Sequence, residues 1–168
     1  MKPQWDLDIK GAVVAEAALK LLTDDSAPPP FQIMRTLLLA CRTMPEVMKF
    51  MLSEAIPRLA RRKSWTTAPR VWDGVLHAMK KYYSATSREG VESLLRTILG
   101  LPVKQFKTVL QLCDANLKDI LKTSVKTFSV TERTEVISGN WIGLAEDNPE
   151  KAATEKLRLI GYNSESVD

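Results

Sequence analysis

The sequence is poor in the residues that most often carry enzyme chemistry. Among 168 residues there are two cysteines, Cys41 and Cys113, and a single histidine, His77. One histidine and two distant cysteines cannot supply a common set of zinc ligands, and two cysteines do not make a disulfide-bonded scaffold. Both cysteines end apolar runs, so we expect them to be small buried hydrophobes in a reducing compartment.

Glycine is also scarce, with 7 residues, and neither a GxxxxGK[ST] nor a GxGxxG phosphate-binding motif occurs. A catalytic Ser-His or Cys-His pair would need His77 as its base. Helical spacing places His77 opposite the apolar residues of its helix, beside Asp73 and Lys81. The carboxylates of Asp24 and Asp25 lie in a proline-rich segment, where we expect nothing to shift a pKa. We predict no enzyme, no cofactor, no metal and no small-molecule substrate.

The sequence has no long uncharged apolar run. The most apolar stretch, residues 31–52, is interrupted by charged side chains, which are Arg35, Arg42, Glu46 and Lys49. A membrane-spanning helix needs about 18 or more consecutive residues with few or no charges. The N-terminus carries acidic residues where a secretory signal is basic. We therefore expect a soluble, intracellular protein with no membrane partner.

What the sequence does contain is helical periodicity. Hydrophobic residues make up 45% and charged residues 26% of the chain, which is typical of a folded globular domain. One apolar set follows the spacing 0, 3, 4, 7, 8 of a single helix face, namely Val91, Leu94, Leu95, Ile98 and Leu99. The predicted fold class is all-α, with consecutive antiparallel helical hairpins forming a HEAT-like helical bundle or short solenoid.

The helices are predicted from this periodicity and from proline positions. They cover residues 7–22, 30–43, 45–62, 69–84, 90–99, 102–113, 116–127, 131–144 and 149–160. The predicted organisation is an N-terminal helix at 1–22, a proline-rich linker at 23–30, a helical domain at 31–144, and a C-terminal helix with tail at 145–168.

Helix start signals support these boundaries. Residues 86–89 and 129–132 each have the composition of a capping box. Pro69 and Pro102 are expected in the first turn of their helices, where proline has no backbone hydrogen bond to lose. Pro57 is expected on the polar side of its helix.

Two predicted helices raise the question of a partner. Helix 45–62 has an apolar face covering about half its circumference, which indicates either packing between two neighbouring helices or a face partly left for another protein. In helix 30–43, Leu39 lies in the middle of a polar face beside Arg35 and Arg42. A single exposed leucine is ordinary on a protein surface, and it is also what a partner contact requires.

A basic cluster ends helix 45–62. It consists of Arg58, Arg61, Arg62 and Lys63, followed by Trp65. Cations at a helix C-terminus favour the helix dipole, so a solvated helix end is one interpretation. A second is RNA contact, in which the cations bind the phosphate backbone and the aromatic ring stacks on a base. A third is an acidic protein partner. The sequence leaves all three open.

Three short motifs follow one another along the chain. They are Pro-Pro-Phe-Gln-Ile-Met-Arg-Thr at residues 29–36, Trp65 followed by Pro-Arg-Val-Trp-Asp-Gly at residues 69–74, and Leu-Gly-Leu-Pro at residues 99–102 leading into Gln105 and Val109. Their order and approximate spacing over residues 28–130 resemble the C-terminal domain of symplekin, the scaffold of the pre-mRNA 3′-end processing machinery. The connection over residues 80–92 is longer than in the family, and residues 114–116 replace an expected proline.

The resemblance implies a nuclear, non-catalytic scaffold module of the mRNA cleavage and polyadenylation machinery, with a cytoplasmic fraction left open. The implied partners are the metallo-β-lactamase-type pre-mRNA cleavage endonuclease and its inactive paralogue, with RNA contacted indirectly or weakly. Helical hairpins can present rigid grooves to such partners. The predicted partner-binding residues are Arg35, Leu39, Arg42, Trp65 and Arg70. The alternative function is a helical RNA-contacting module that uses residues 58–65.

Overall fold

A computed structural model describes residues 4–24, 26–85 and 90–163 of the chain. These residues form helices joined by turns and loops, with no strand among them, so the predicted all-α class is confirmed. The helices are α1 (Gln4–Thr23), α2 (Ile33–Ala40), α3 (Pro45–Phe50), a π-helical turn (Met51–Ala55), α4 (Ile56–Arg61), α5 (Ser64–Thr67), α6 (Pro69–Tyr82), α7 (Val91–Gly100), α8 (Val103–Leu112), α9 (Ala115–Thr127), α10 (Val130–Ile137) and α11 (Pro149–Leu159).

The chain divides into two compact units. The first contains the described residues up to Met79, together with residues 85 and 90–94, and the second contains residues 80–84 and those from Leu95 onward. In the first unit, α1 packs on α3 and on the π-helical turn, and α2 packs on α3. In the second unit, α11 packs on α8 and α10, and α8 contacts α9. This packing of short neighbouring helices is consistent with a helical bundle or short solenoid.

The predicted helix 45–62 is one unbroken helical segment, in which the π-helical turn lies between α3 and α4. Pro57 has no amide hydrogen, so it cannot donate to the carbonyl four residues before it. A wide turn immediately upstream accommodates that missing hydrogen bond. Pro57 is buried, and the prediction that it lies on the polar side of the helix is therefore wrong.

The broad apolar face of this segment is buried along its whole length. Its buried members are Val47, Met48, Phe50, Met51, Leu52, Ala55, Ile56 and Leu59. Of the two interpretations, packing between neighbouring helices is confirmed. The face leaves no apolar strip for another protein.

Several helix ends differ from the prediction. The helix predicted over 131–144 ends at Ile137, because Gly139 adopts a φ of 88° and its carbonyl accepts a 2.8 Å hydrogen bond from the amide of Leu144. A Cβ at Gly139 would lie 2.9 Å from the carbonyl carbon of Leu144, so the turn needs glycine. The predicted helix 30–43 shortens to α2 and the predicted helix 69–84 ends at Tyr82.

The short helix α5 was not predicted. Lys63 has a φ of 51° and a ψ of 49°, a left-handed conformation that ends the preceding helix and redirects the chain. The buried hydroxyl of Ser64 then donates a 2.8 Å hydrogen bond to the Leu59 carbonyl. Apolar periodicity carries no signal for such a one-turn element.

Start signals were predicted more accurately than ends. In α10 the Ser129 hydroxyl accepts a 3.2 Å hydrogen bond from the Glu132 amide, and the Glu132 carboxylate accepts one of 3.0 Å from the Ser129 amide. The predicted capping box is thus confirmed, while the one at residues 86–89 lies outside the described residues. Pro69 is the first residue of α6, whereas Pro102 precedes α8 as its N-cap, one position earlier than predicted.

Candidate protein-docking site

Residues able to carry catalysis are dispersed. His77 is exposed on α6, as predicted. Cys41 is buried, whereas Cys113 is half-buried rather than buried as expected. Burial raises the pKa of the Cys113 thiol, which disfavours the reactive thiolate. Within the described ranges, no group of three or more His, Cys, Asp or Glu residues could hold a metal ion.

No helix in the described part of the chain has both the length and the apolar character that crossing a bilayer requires.

The carboxylate of Asp24 differs from expectation. The hydroxyl and the amide of Ser26 both donate to it, the amide at 3.0 Å. These hydrogen bonds stabilise the ionised form and lower the pKa of Asp24, with a smaller contribution from the charge of Arg62. The prediction that nothing shifts a pKa here is wrong for Asp24, because the local turn supplies donors. Asp25 lies outside the described residues.

The outer side of α2 carries Arg35 and Leu39, and Arg42 lies in the turn that follows the helix. Arg35 and Arg42 are exposed, and 52% of Leu39 is accessible to solvent. On the inner side of the same helix, Met34 and Leu37 are fully buried. Arg35 and Leu39 are four residues apart, so they lie on one ridge. We call Arg35, Leu39 and Arg42 the α2 surface.

A second exposed apolar ridge lies on α1 and was not predicted. Val13 is 60% and Leu21 52% exposed, and the exposed Ala17 lies between them at the four-residue spacing. Ala18 and Leu22 are buried and form the inner side of the helix. The signal was available in the sequence, because α1 has apolar residues around most of its circumference and packing can cover only one side.

The other two predicted docking residues lie on different elements. Trp65, on α5, is half-buried, and its ring centroid lies 5.0 Å from that of Trp72 with an interplanar angle of 73°. Such an edge-to-face pair is stabilising in itself. Arg70 is exposed in the first turn of α6. The predicted set therefore does not form one ridge, and only Arg35 and Leu39 are placed together by one helix.

The basic cluster borders a groove of about 590 Å³. The groove is lined by Leu22, Ser26, Ala27, Pro28, Arg58, Arg61, Arg62 and Thr67. We call it the arginine groove. Lys63 is exposed but does not appear among these lining residues. Trp65 does not line the groove either, so the side chains that the RNA interpretation combines are separated in the structure.

Arg62 has a structural partner that the sequence does not reveal. Its guanidinium donates to the carbonyl oxygen of Ala27 and, at 3.4 Å, to that of Leu22. These acceptors lie at the end of α1 and in the proline-rich segment. Arg62 therefore holds that segment against α4.

Several motif residues of the chain are packing residues. Trp72 and Leu101 are buried. A Cβ on Gly74 would lie 2.6 Å from Cβ of Met34, and a Cβ on Gly100 would lie 2.8 Å from Cγ2 of Ile142. Both glycines stand where another side chain approaches too closely for any other residue.

The family described as "Symplekin tight junction protein C terminal" matches residues 6–113, well over half of the 168 residues. The match includes most of α1, in which no family motif was found, and it stops before residues 114–130, which the resemblance included. No curated protein and no solved structure matches the chain. The ordered motifs and the family match agree: the chain belongs to the symplekin C-terminal family.

Proposed function

We propose that the chain is a non-catalytic scaffold module of the mRNA cleavage and polyadenylation machinery. In this proposal it binds the metallo-β-lactamase-type cleavage endonuclease and its inactive paralogue, and it acts in the nucleus. The observation that carries the proposal is the family match over residues 6–113. The family consists of scaffold domains rather than catalytic domains, and such a domain acts through its surface.

The α2 surface is the contact that we propose for this pair. It combines an exposed leucine with two exposed arginines, and interfaces characteristically pair an apolar anchor with arginine. Because the broad apolar face of α3 and α4 is used in the core, a partner must use the outer sides of the helices. The exposed ridge of α1, with Val13 and Leu21, is a second exposed apolar surface of the same unit.

The test is affinity capture of the endonuclease pair by the full chain. A triple variant, Arg35→Glu, Leu39→Asp and Arg42→Glu, places three negative charges on the α2 surface. We expect capture to fall by about tenfold or more, since removing an interface anchor costs about 2 kcal/mol. The measurement is the amount of both nuclease subunits retained at fixed salt.

A matched control replaces positive charges by negative ones at exposed residues outside the α2 surface. Lys104 and Lys118 are exposed on α8 and α9, and Lys104→Glu with Lys118→Glu is expected to leave capture unchanged. If the wild-type chain captures neither nuclease subunit, the proposed function is wrong. If the wild-type chain captures both and the triple variant does so equally, the function stands and the α2 surface is wrong.

A further inference from the structure

The arginine groove concentrates positive charge on one wall. Arg58 and Arg61 are three residues apart on α4, so their side chains emerge from adjacent turns on the same side of the helix. Arg62 adds a third guanidinium. None of the described residues that line the groove is a carboxylate, and the nearby Asp24 carboxylate, whose pKa the charge of Arg62 helps to lower, carries one negative charge against three guanidinium groups. The groove therefore offers a concentrated positive potential to a ligand.

The rest of the lining is mainly apolar and held in place. Leu22, Ala27 and Pro28 contribute it together with Ser26, and Thr67 completes the groove. The hydrogen bonds from Arg62 to the carbonyls of Leu22 and Ala27 fix this part of the lining relative to α4. A ligand that fits the whole lining needs both acidic groups and an apolar group.

The lining favours a peptide over a nucleic acid. Proteins that bind single-stranded nucleic acids stack bases on aromatic side chains within a basic groove. None of the described lining residues is aromatic, and the nearby Trp65 packs its ring against Trp72 instead. Guanidinium groups bind carboxylates through paired, charge-assisted hydrogen bonds.

We propose that the arginine groove binds an acidic peptide segment of a protein partner. Carboxylates of that segment pair with Arg58 and Arg61, and an apolar side chain between them packs against Pro28. This site is separate from the α2 surface. The assignment does not depend on the endonuclease pair being the partner, because it rests on the chemistry of the groove alone.

The experiment measures fluorescence anisotropy of a labelled short peptide in which glutamate and leucine alternate, titrated with the full chain. We expect saturable binding, weakened by about tenfold or more in the double variant Arg58→Gln, Arg61→Gln, because two charge-assisted hydrogen-bond pairs are lost. The control variant Lys104→Gln, Lys118→Gln removes the same charge at two exposed residues outside the groove. It is expected to keep wild-type affinity.

Two further ligands test whether binding needs carboxylates and whether the groove prefers a peptide to RNA. A peptide with glutamine in place of glutamate is expected not to bind, and a labelled single-stranded RNA is expected to bind more weakly than the acidic peptide. The double variant Arg58→Lys, Arg61→Lys keeps the charge but loses the paired geometry, so we expect intermediate affinity. The thermal midpoint of the glutamine variant shows whether it is folded. If that variant is unfolded, the lysine variant still tests the role of the two arginines.

Three results would overturn the assignment. The first is equal weakening by the groove variant and the control variant, which would mean that net charge alone drives binding. The second is equal binding of the glutamine peptide. The third is tighter binding of the RNA that the groove variant abolishes, which would make the groove a nucleic-acid site.

Discussion

The ammonium group of Lys156 donates a 2.7 Å hydrogen bond to the carbonyl oxygen of Leu99. It donates a second, of 2.9 Å, to the carbonyl of Leu101, and only 1% of the Lys156 side chain is exposed. Leu99 lies in the last turn of α7, where carbonyl groups lack intrahelical donors. A buried cation from α11 thus caps α7 and links the two helices within the second unit.

The pH dependence of stability reports on this lysine. Burial lowers the pKa of Lys156 to about 8, against a smaller opposing effect of Glu146, whereas in the unfolded chain it lies near 10.5. At a pH between these two pKa values, the Lys156 side chain is protonated in the unfolded chain but not in the folded one. Unfolding therefore takes up a proton, and raising the pH disfavours it. We expect the stability of the wild type relative to Lys156→Met to rise by up to about 1.4 kcal/mol per pH unit between about pH 8 and about pH 10.5.

Urea unfolding of both proteins across this pH range provides the measurement. Lys151, exposed on the same helix, supplies the matched control, and Lys151→Met is expected to show no such pH-dependent difference. A flat difference between the wild type and Lys156→Met would mean that the folded-state pKa of Lys156 is not lowered.

Tyr83 and Asp114 form a second pH-sensitive pair in the same unit. The Tyr83 hydroxyl donates a hydrogen bond to the Asp114 carboxylate, and this bond is the largest cause that raises the pKa of Tyr83 to about 12. We expect Tyr83→Phe to lower the free energy of unfolding by about 1–2 kcal/mol at neutral pH. The difference from the wild type should shrink as the pH rises from about 10 through 12, because the tyrosine ionises and the bond is lost.

Chemical denaturation at several pH values measures this effect. Tyr82→Phe, one residue earlier, removes a hydroxyl that is not bonded to Asp114 and should leave the pH profile unchanged.

Asp114 also caps α9 by accepting a 3.1 Å hydrogen bond from the Asn116 amide, so Asp114→Ala should cost more than Tyr83→Phe at neutral pH. Equal losses would contradict the double role of Asp114.

Gly74 should tolerate no side chain. Alanine at this position would bring its Cβ to 2.6 Å from Cβ of Met34, and an atom joined directly to the backbone cannot easily move away. We expect Gly74→Ala to destabilise the first unit by up to about 2 kcal/mol, because overpacking costs about 1–3 kcal/mol and the better helix propensity of alanine returns about 1 kcal/mol. Asp73→Ala, at an exposed neighbour, should change stability by less than about 0.5 kcal/mol. A thermal midpoint of Gly74→Ala at or above that of the wild type would contradict the close approach.

Arg62 should protect the proline-rich segment from protease cleavage. Arg62→Met keeps the apolar stem but removes the donors to the Leu22 and Ala27 carbonyls. We expect faster protease cleavage between residues 24 and 31, because the segment loses the contact that fixes it. Cut sites are mapped by mass spectrometry, with Arg70→Met as the control for an exposed arginine. Unchanged cleavage would show that the prolines alone hold the segment.

Much of the fold was predictable because amphipathic spacing reports local geometry. The five apolar residues that begin with Val91 are all buried on α7, as their spacing predicts. The capping box at Ser129 was predicted for the same reason, since both of its partners lie within one turn. The burial of Pro57 was not predictable, because burial on the polar side of a helix depends on tertiary packing and not on the spacing within the helix.

The docking site was predictable only in part. The exposure of Leu39 followed from its place on a polar face. The groove did not, because it is built from residues distant in sequence: Arg58 and Arg61 on α4, and Leu22 and Pro28 around the proline-rich segment. A cluster of positive charges in a sequence does not show which apolar residues will line the same groove.

The sequence by itself determined the all-α class, the apolar face of α7 and the family, because helical period and ordered motifs are local properties of the chain. The tertiary structure alone decided that Lys156 is buried against the carbonyls of Leu99 and Leu101 and that Arg62 braces the proline-rich segment. Both contacts join residues at least 35 positions apart, and burial and hydrogen-bond partners at that separation arise only when the helices pack.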